Sequence, residues 1–445
     1  MNLQKGNSEM SDTLRKVLVI AYYFPPLGLS GVQRTTKFVK YLPTYGWKPT
    51  VLTVAPTGYY ALDASLLLEV EGTEIIRTNS LDANRLFRKQ GVVNMPSERM
   101  RKMLQFVGDT MFVPDTKIGW KHNAVKAASD LLRRERFDLI FATAPPQTDF
   151  LIGRELKNIT GLPLVLDYRD AWLDYPFKYF PTPLHKYLNY RLEKQVVSAA
   201  DRIVVTHRRV KEGILKRYRG LHYNDVTIVP QGFDPEDYKR GAKETKRRDR
   251  FRITHAGTFY GGRNPSALLH ALKNFLTESP NLREKIVFSF IGTVRQQDKT
   301  LVQQLGLEGN VTFLGYLNHQ ECTNYLVASD VLYFVLDNDY QSPGKLYEYL
   351  GARKQILASV VDGYMKEVAE DSGAAVCVPL GDVAAHEHAL RDFFRQYERK
   401  KLKQIPKDYA DKFNRVALTG ELAKMFESLM DYDRHAITKL QEPVA

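Results

Sequence analysis

At 445 residues, with 44% hydrophobic and 26% charged residues, the chain is too long for one ordinary core and has the make-up of a multidomain globular enzyme. The net charge of +13 calls for a polyanionic partner: nucleic acid, anionic lipid headgroups or phosphorylated substrates. Two cysteines, Cys322 and Cys377, exclude a disulfide framework and a cysteine metal cluster, so a reducing compartment is expected.

Residues 1–15 are polar and are expected to be disordered. The apolar run Val17 to Phe24 follows Lys16 but ends in Pro25-Pro26 without a small-residue cleavage site, so it is not read as a leader. No run of about eighteen apolar residues is present, so no membrane span is expected. Lys16 to Tyr23 reads as a strand, followed by the loop Phe24 to Gly31 with Gly28 and Gly31, a helix from about Val32 to Tyr45, and a strand Trp47 to Val54. Glycines at a strand-to-helix junction let a ligand approach the backbone, and this order opens a doubly wound α/β domain. A short strand at Glu74 to Thr78 precedes a mostly helical stretch, Leu81 to Thr110. It mixes Arg85, Arg88, Lys89, Arg99, Arg101 and Lys102 with Leu86, Phe87, Met95, Met100, Met103 and Phe106. Such a stretch either lies on an anionic membrane or forms a solvated hairpin against the domain.

Alternating helices and strands then continue through Asp138–Ala142, Pro163–Asp167, Arg202–Val205 and Val226–Val229. The strand ending at Asp167 leads into Arg169 and Asp170, outside the carboxyl end where ligands gather, or else into an internal ion pair. Residues 172–191 form an aromatic, mildly basic insert suited to stacking or a lipid interface. The first domain is therefore predicted over 16–235 and a basic linker over 236–250. The pattern restarts over 251–414: a strand to Ala256, the Gly-rich loop Gly257-Thr258 to Pro265 with Arg263 at the helix entry, and further strands and helices. A last helix in 415–445 is long enough to cross back to the first domain. Within the second domain, the apolar strand ending at Leu336 leads to Ser342-Pro343-Gly344-Lys345-Leu346-Tyr347-Glu348. Pro343 suits a helix start, whose free N–H groups and Lys345 would receive an anion. Glu348 follows one turn later on the same side and can bind sugar hydroxyls; on this segment alone the other reading is an ordinary strand-loop-helix with a surface Lys and Glu.

The pieces Phe24-Pro25-Pro26 with Gly28 and Gly31, Ala144-Pro145-Pro146, Asp167 to Trp172, Gly232-Phe233-Asp234, Gly257 to Tyr260 and Pro343 to Leu350 occur in that order. Together they resemble the retaining family-four glycosyltransferases of bacterial surface-polysaccharide assembly, which have the GT-B fold: two doubly wound Rossmann-like domains facing a central cleft. The resemblance implies a nucleotide-sugar donor, UDP- or GDP-linked, held by the second domain. Glu348 would bind the ribose, Arg263 and Lys345 the diphosphate, with Gly344, Pro343, Gly257, Thr258, Gly28 and Gly31 around it. Arg169 and Asp170 would face the transfer. It implies no metal and no other cofactor, a glycan or polyprenyl-diphosphate-linked acceptor, and a cytoplasmic enzyme, peripheral on the inner face of the membrane. The family's sugar-touching carboxylate is replaced by Tyr340, the basic pair of the second domain is reduced to Thr258 and Arg263, and the histidine often found beside Arg169-Asp170 is absent.

The alternatives are a nucleotide-sugar epimerase of the same fold, which would need acid–base groups in the cleft, and a basic nucleic-acid-binding protein. The positive charge is spread over helices and linker and not gathered on a recognition motif, so no nucleic-acid partner is expected.

Overall fold

Runs of Val, Ile, Leu and Phe buried on both faces are the mark of parallel strands covered by helices, and here they form two sheets. The computed structural model describes residues 14–28, 30–56, 58–59, 61–82, 98–240 and 250–441. The first sheet comprises β1 (Arg15–Ile20), β2 (Trp47–Val54), β3 (Glu74–Thr78), β4 (Leu139–Ala144), β5 (Leu164–Tyr168), β6 (Arg202–Val205) and β7 (Val226–Ile228). The second comprises β8 (Phe251–Ala256), β9 (Ile286–Ile291), β10 (Val311–Gly315), β11 (Val331–Leu336), β12 (Gln355–Val360) and β13 (Ala375–Val378). Their orders are β3-β2-β1-β4-β5-β6-β7 and β10-β9-β8-β11-β12-β13. Each order reverses direction once, between β1 and β4 and between β8 and β11. Such a reversal opens a crevice at the carboxyl ends of the strands, so the loops after β1, β8 and β11 face a common cleft.

The helix Arg415–Gln441 returns to the first domain. Leu418, Leu422 and Phe426 are buried there with Val17, Val19 and Trp47, and the Trp47 and Phe426 rings meet edge-on at 5.1 Å. Burial of each such side chain contributes about 1.5–3 kcal/mol. Where the two crossing segments pass, they pair with each other: Phe233 N–H donates to the Phe413 carbonyl at 3.0 Å and Arg415 N–H to the Phe233 carbonyl at 2.9 Å. A Cβ on Gly232 would lie 2.3 Å from the Phe413 oxygen, so the close crossing requires glycine.

Several expected boundaries shift for local reasons. The first strand starts at Arg15 and ends at Ile20, because the Tyr22 N–H turns to the Asp149 carboxylate at 2.9 Å. The end of the expected aromatic insert is helical: the helix Pro183–Ala199 is capped by Thr182, with proline in its first turn. The helix Pro235–Arg240 takes up the start of the expected linker, with Asp237 buried; 241–249 lie outside the described residues. So do 1–13 of the expected disordered start, and Arg85, Leu86, Phe87, Arg88, Lys89 and Met95 of the expected basic helical stretch.

Candidate active site

A cavity of about 460 Å³ opens between the two domains. Its second-domain wall comes from the loops after β8, β9, β10 and β11; the first domain contributes Gln33, Asp63, Arg101 and Tyr175. The floor is a staircase of backbone. Gly257 N–H donates to the Ile291 carbonyl at 2.8 Å and Gly292 N–H to the Gly315 carbonyl at 2.7 Å. Gly292 has φ 115° and a Cβ there would sit 2.4 Å from the Gly257 oxygen, so no other residue fits.

The helix Gly344–Ala352 begins with Pro343 at its cap. Lys345 and Glu348 are one turn apart, and the Lys345 ammonium lies 2.7 Å from the Glu348 carboxylate. Glu348 is 7% exposed. Burial alone would raise its carboxyl, but Lys345 and, further off, His319 and Arg415 outweigh that and bring it below the usual range. Burial alone would lower Lys345; the neighbouring Cys322 thiol and Glu348 outweigh it and raise the ammonium. The pair therefore keeps both charges beside the cavity. Arg263 reaches the same space: its Nε lies 3.0 Å from Asp337, Nη1 donates to the Tyr260 hydroxyl at 3.1 Å, and Nη2 donates to the Gln341 carbonyl oxygen. His255 donates through Nδ1 to the Tyr333 carbonyl at 2.8 Å and stacks on Phe259 at 4.2 Å. Burial, and then Lys345 and Arg263, push it down to about 4, so the ring is neutral and adds no cation.

Of the residues expected around a donor, Glu348, Lys345, Arg263, Pro343, Gly257 and Thr258 line this cavity, whereas Gly344, Tyr340, Gly28 and Gly31 do not. A Cβ on Gly28 would lie 2.7 Å from the Tyr316 hydroxyl, so this glycine makes room for protein, whereas one on Gly31 would lie at an ordinary contact distance of 3.6 Å from Arg169. Tyr340 turns to the first domain. The Arg209 guanidinium lies 4.4 Å from its ring centroid and donates to its hydroxyl at 3.1 Å, and Arg209 also pairs with Asp339 at 2.8 Å. Arg169 lies behind the cavity, 6% exposed, with Nη1 on the Gly31 carbonyl and Nη2 on the Pro145 carbonyl; it braces two loops. Asp170 is not among the lining residues; burial raises its carboxyl against the pull of Arg169 and Arg263. Sequence reasoning missed His255, Tyr316, His319, Cys322 and Gly292-Thr293, although the last pair could have been found as the loop beyond a strand end next to the β8–β11 reversal.

The helix Glu98–Met111 is reversed in polarity. Arg101, Gln105, Gly108 and Asp109, spaced at one helical face, turn to the protein. Gln105 donates to the Phe177 carbonyl and Asp109 pairs with Lys178 at 2.9 Å. Met100, Met103, Leu104, Phe106, Val107 and Met111 are outside, each 44–70% exposed. The patch continues onto the insert through the Phe106–Tyr179 ring contact at 5.3 Å; Leu184 and Tyr187 further along are also exposed. Among the described residues no helix is long and apolar enough to cross a membrane.

Glu69, Asp234 and Asp237 bring carboxylate oxygens within 4.8 Å of one another. The Lys37 ammonium already lies 2.7 Å from Asp234 and 3.1 Å from Asp237 and touches Glu69, and Lys40 lies 2.9 Å from Asp234 and 3.3 Å from Glu69, so two ammonium groups together supply the charge a divalent cation would bring.

Two family profiles match in tandem: Glycosyltransferase Family 4 over residues 31–237 and Glycosyl transferases group 1 over 239–412. The chain is 25% identical over 216 residues to a D-inositol 3-phosphate glycosyltransferase of Streptomyces avermitilis, covering 45% of this chain and 46% of that one. It is 23% identical over 226 residues to EpsD, a Bacillus subtilis protein named as a glycosyltransferase, covering 50% and 56%. The chain thus spans about half the length of the curated relatives it matches. Anabaena HepE, solved in complex with UDP and glucose, shares the fold with a TM-score of 0.64 at 15% identity, over 93% of this chain and 100% of that one. The chain belongs to the family-four glycosyltransferases and is an enzyme of their two-Rossmann-domain GT-B type.

Proposed function

We propose that the protein transfers a sugar, with retention, from a UDP- or GDP-linked donor to a glycan or lipid-linked acceptor in cell-surface polysaccharide assembly, at the inner face of an anionic membrane. The observation that carries this reading is the ion pair of Lys345 with the buried Glu348 beside a cavity walled by both domains. Glu348 accepts from the ribose hydroxyls. Lys345 and Arg263, with the Gly257-Thr258 turn, hold the diphosphate as its charge grows on bond breaking. The bond between the sugar's anomeric carbon and the diphosphate oxygen breaks, and the acceptor oxygen bonds to the same face. The acceptor proton passes to the departing phosphate. Side-chain cations take the place of a metal in this scheme. Asp170, which feels the charge of Arg263, orients the sugar or acceptor in this scheme, and Arg169 holds the loop that carries it. HepE, described with UDP and glucose bound, supports the nucleotide-sugar reading, and the name of EpsD is compatible with a glycan product.

A thermal-shift panel of nucleotide sugars tests the donor. At a ligand concentration of 100 times Kd, binding adds about 2.7 kcal/mol, which raises Tm by roughly 5–10 °C for domains of this size. No shift with any nucleotide sugar overturns the reading. Incubation with the donor alone separates transfer from epimerisation, since only an epimerase then converts it, and the anomeric coupling constant of the product reports retention.

The membrane part rests on the exposed apolar face of Glu98–Met111 together with the net charge of +13. Flotation with phosphatidylglycerol vesicles is expected for the wild type and not for Met103→Ser/Phe106→Ser, with donor affinity unchanged. Equal binding of wild type and variant removes this part.

A further inference from the structure

A helix with its apolar face outward and its polar face inward raises the question of what the inward polar residues do. Gln105 and Asp109 hold the insert, through Phe177 and Lys178. Arg101, one turn before Gln105, is different, because it lines the cavity. Its guanidinium carbon lies 5.9 Å from the centroid of the Tyr260 ring, and that of Arg263 lies 4.6 Å from the same ring. Two guanidinium groups, one from each domain, therefore share one aromatic residue at the cavity wall. Arg263 is already paired with Asp337 at 3.0 Å, whereas among the described residues no carboxylate forms an ion pair with Arg101. The insert fixes the approach: Phe177 packs edge-on to Tyr260 at 5.4 Å, and its carbonyl accepts from Gln105 on the helix. Like charges gathered in a cavity and lacking a matching carboxylate are a site for an anion.

We propose that Arg101 is a phosphate-binding residue of the cleft, supplied by the first domain and carried on the same helix that presents the exposed apolar face. This rests on the nucleotide-sugar reading above. The phosphate it meets belongs either to the diphosphate of the donor or to the phosphate of a lipid-linked acceptor. In both cases one short helix faces the bilayer on one side and the reacting diphosphate on the other, so the orientation of the enzyme at a surface also positions a cation in the cleft.

The test uses the full chain with Arg101→Gln and Arg101→Lys. Calorimetry with UDP and GDP reads the donor arm. Co-sedimentation with phosphatidylcholine vesicles, with and without farnesyl diphosphate, reads the acceptor arm. Loss of one charge-assisted contact is expected to weaken the relevant interaction about tenfold or more in Arg101→Gln. Arg101→Lys keeps the charge without the planar fork and should fall between that variant and the wild type. A change confined to the nucleotide assigns Arg101 to the donor diphosphate; a change confined to the farnesyl diphosphate vesicles assigns it to the acceptor. If wild type and both variants bind alike in both arms, the role of Arg101 is overturned while the nucleotide-sugar reading stands. If the wild type binds neither nucleotide and no nucleotide sugar shifts its Tm, that reading falls, and only a loss in the vesicle arm then keeps Arg101 as a phosphate site.

Discussion

Glu348→Gln is expected to lower donor affinity and transfer by roughly 100-fold or more while the chain still folds. The substitution keeps the side chain's shape but removes its charge and one of its two strong acceptor oxygens. Two charge-assisted hydrogen bonds to vicinal hydroxyls contribute about 3–4 kcal/mol between them, which corresponds to a factor of 100 to 1,000. Lys345 then faces a neutral amide at a position where it had a carboxylate at 2.7 Å, so the ammonium that meets the diphosphate is also less well held. Lys345→Ala should produce a comparable loss through the other member of the pair. The pH behaviour follows from the signs of the two shifts. Glu348 is depressed relative to its ordinary value of 4.5, so its stabilising contribution is present above that pH and is lost as pH falls through the lower folded value. Lys345 is raised relative to 10.5, so its contribution is present below that pH and is lost only as pH rises through the higher folded value. The pair is thus fully charged across the neutral range, and donor affinity should be flat there. Calorimetry on the purified variants decides the matter: Glu348→Gln binding nucleotide sugar within threefold of wild type would remove Glu348 from the site.

What could be read in the sequence was whatever depends on residues close together along the chain. The strand ending at Leu336 and the helix after Pro343 place Lys345 and Glu348 through one turn of helix, and the structure sets both at the cavity. Gly28 and Gly31 show the opposite. A glycine at a strand-to-helix turn states only that something can approach closely; at Gly28 it is the Tyr316 hydroxyl, and at Gly31 nothing comes nearer than an ordinary contact with Arg169. Tyr340 stands where the family's sugar-touching carboxylate is expected, but position along the loop does not fix where its side chain turns, and here Arg209 of the first domain is its partner. Arg169 stands at the carboxyl end of a strand, where ligands gather, yet two carbonyls hold its guanidinium. Arg101 could not be assigned at all, because Tyr260 lies far along the chain in the other domain. The mixture of apolar and basic residues before Thr110 was visible, but which face turns inward depends on what the helix packs against.

Asp234→Asn should be the most damaging substitution outside the cavity, although it replaces the carboxylate with a group of the same size. Asp234 follows directly after the crossing of the two interdomain segments. Its Oδ2 accepts from Lys37 at 2.7 Å and Lys40 at 2.9 Å, and its Oδ1 from the Tyr41 hydroxyl at 2.7 Å and the Glu236 N–H at 3.0 Å. All four partners are donors. An amide in that place must turn its NH₂ toward either two ammonium groups or a hydroxyl and a backbone N–H, so no rotamer satisfies it. The Asp234 side chain is wholly buried and that of Lys37 nearly so, and breaking a buried pair by removing one charge costs about 3–5 kcal/mol. At roughly 2–4 °C per kcal/mol, Tm should fall by about 6–20 °C. Glu236→Gln is the contrast: it loses a Lys40 contact at 2.7 Å from a half-exposed side chain, and less than about 1 kcal/mol is expected. Burial alone would raise the Asp234 carboxyl, but Lys37, Lys40 and Tyr41 depress it below 3.8. Its contribution is therefore present above that pH and is lost as pH falls through the lower folded value, so the stability gap between wild type and Asp234→Asn should narrow below about pH 4. Because Asp234 belongs to the crossing and not to the cavity, donor Kd measured below the lowered Tm should change far less than stability does. A Tm within 2 °C of wild type would show that the lysine pair is held by Glu69 and Asp237 without it.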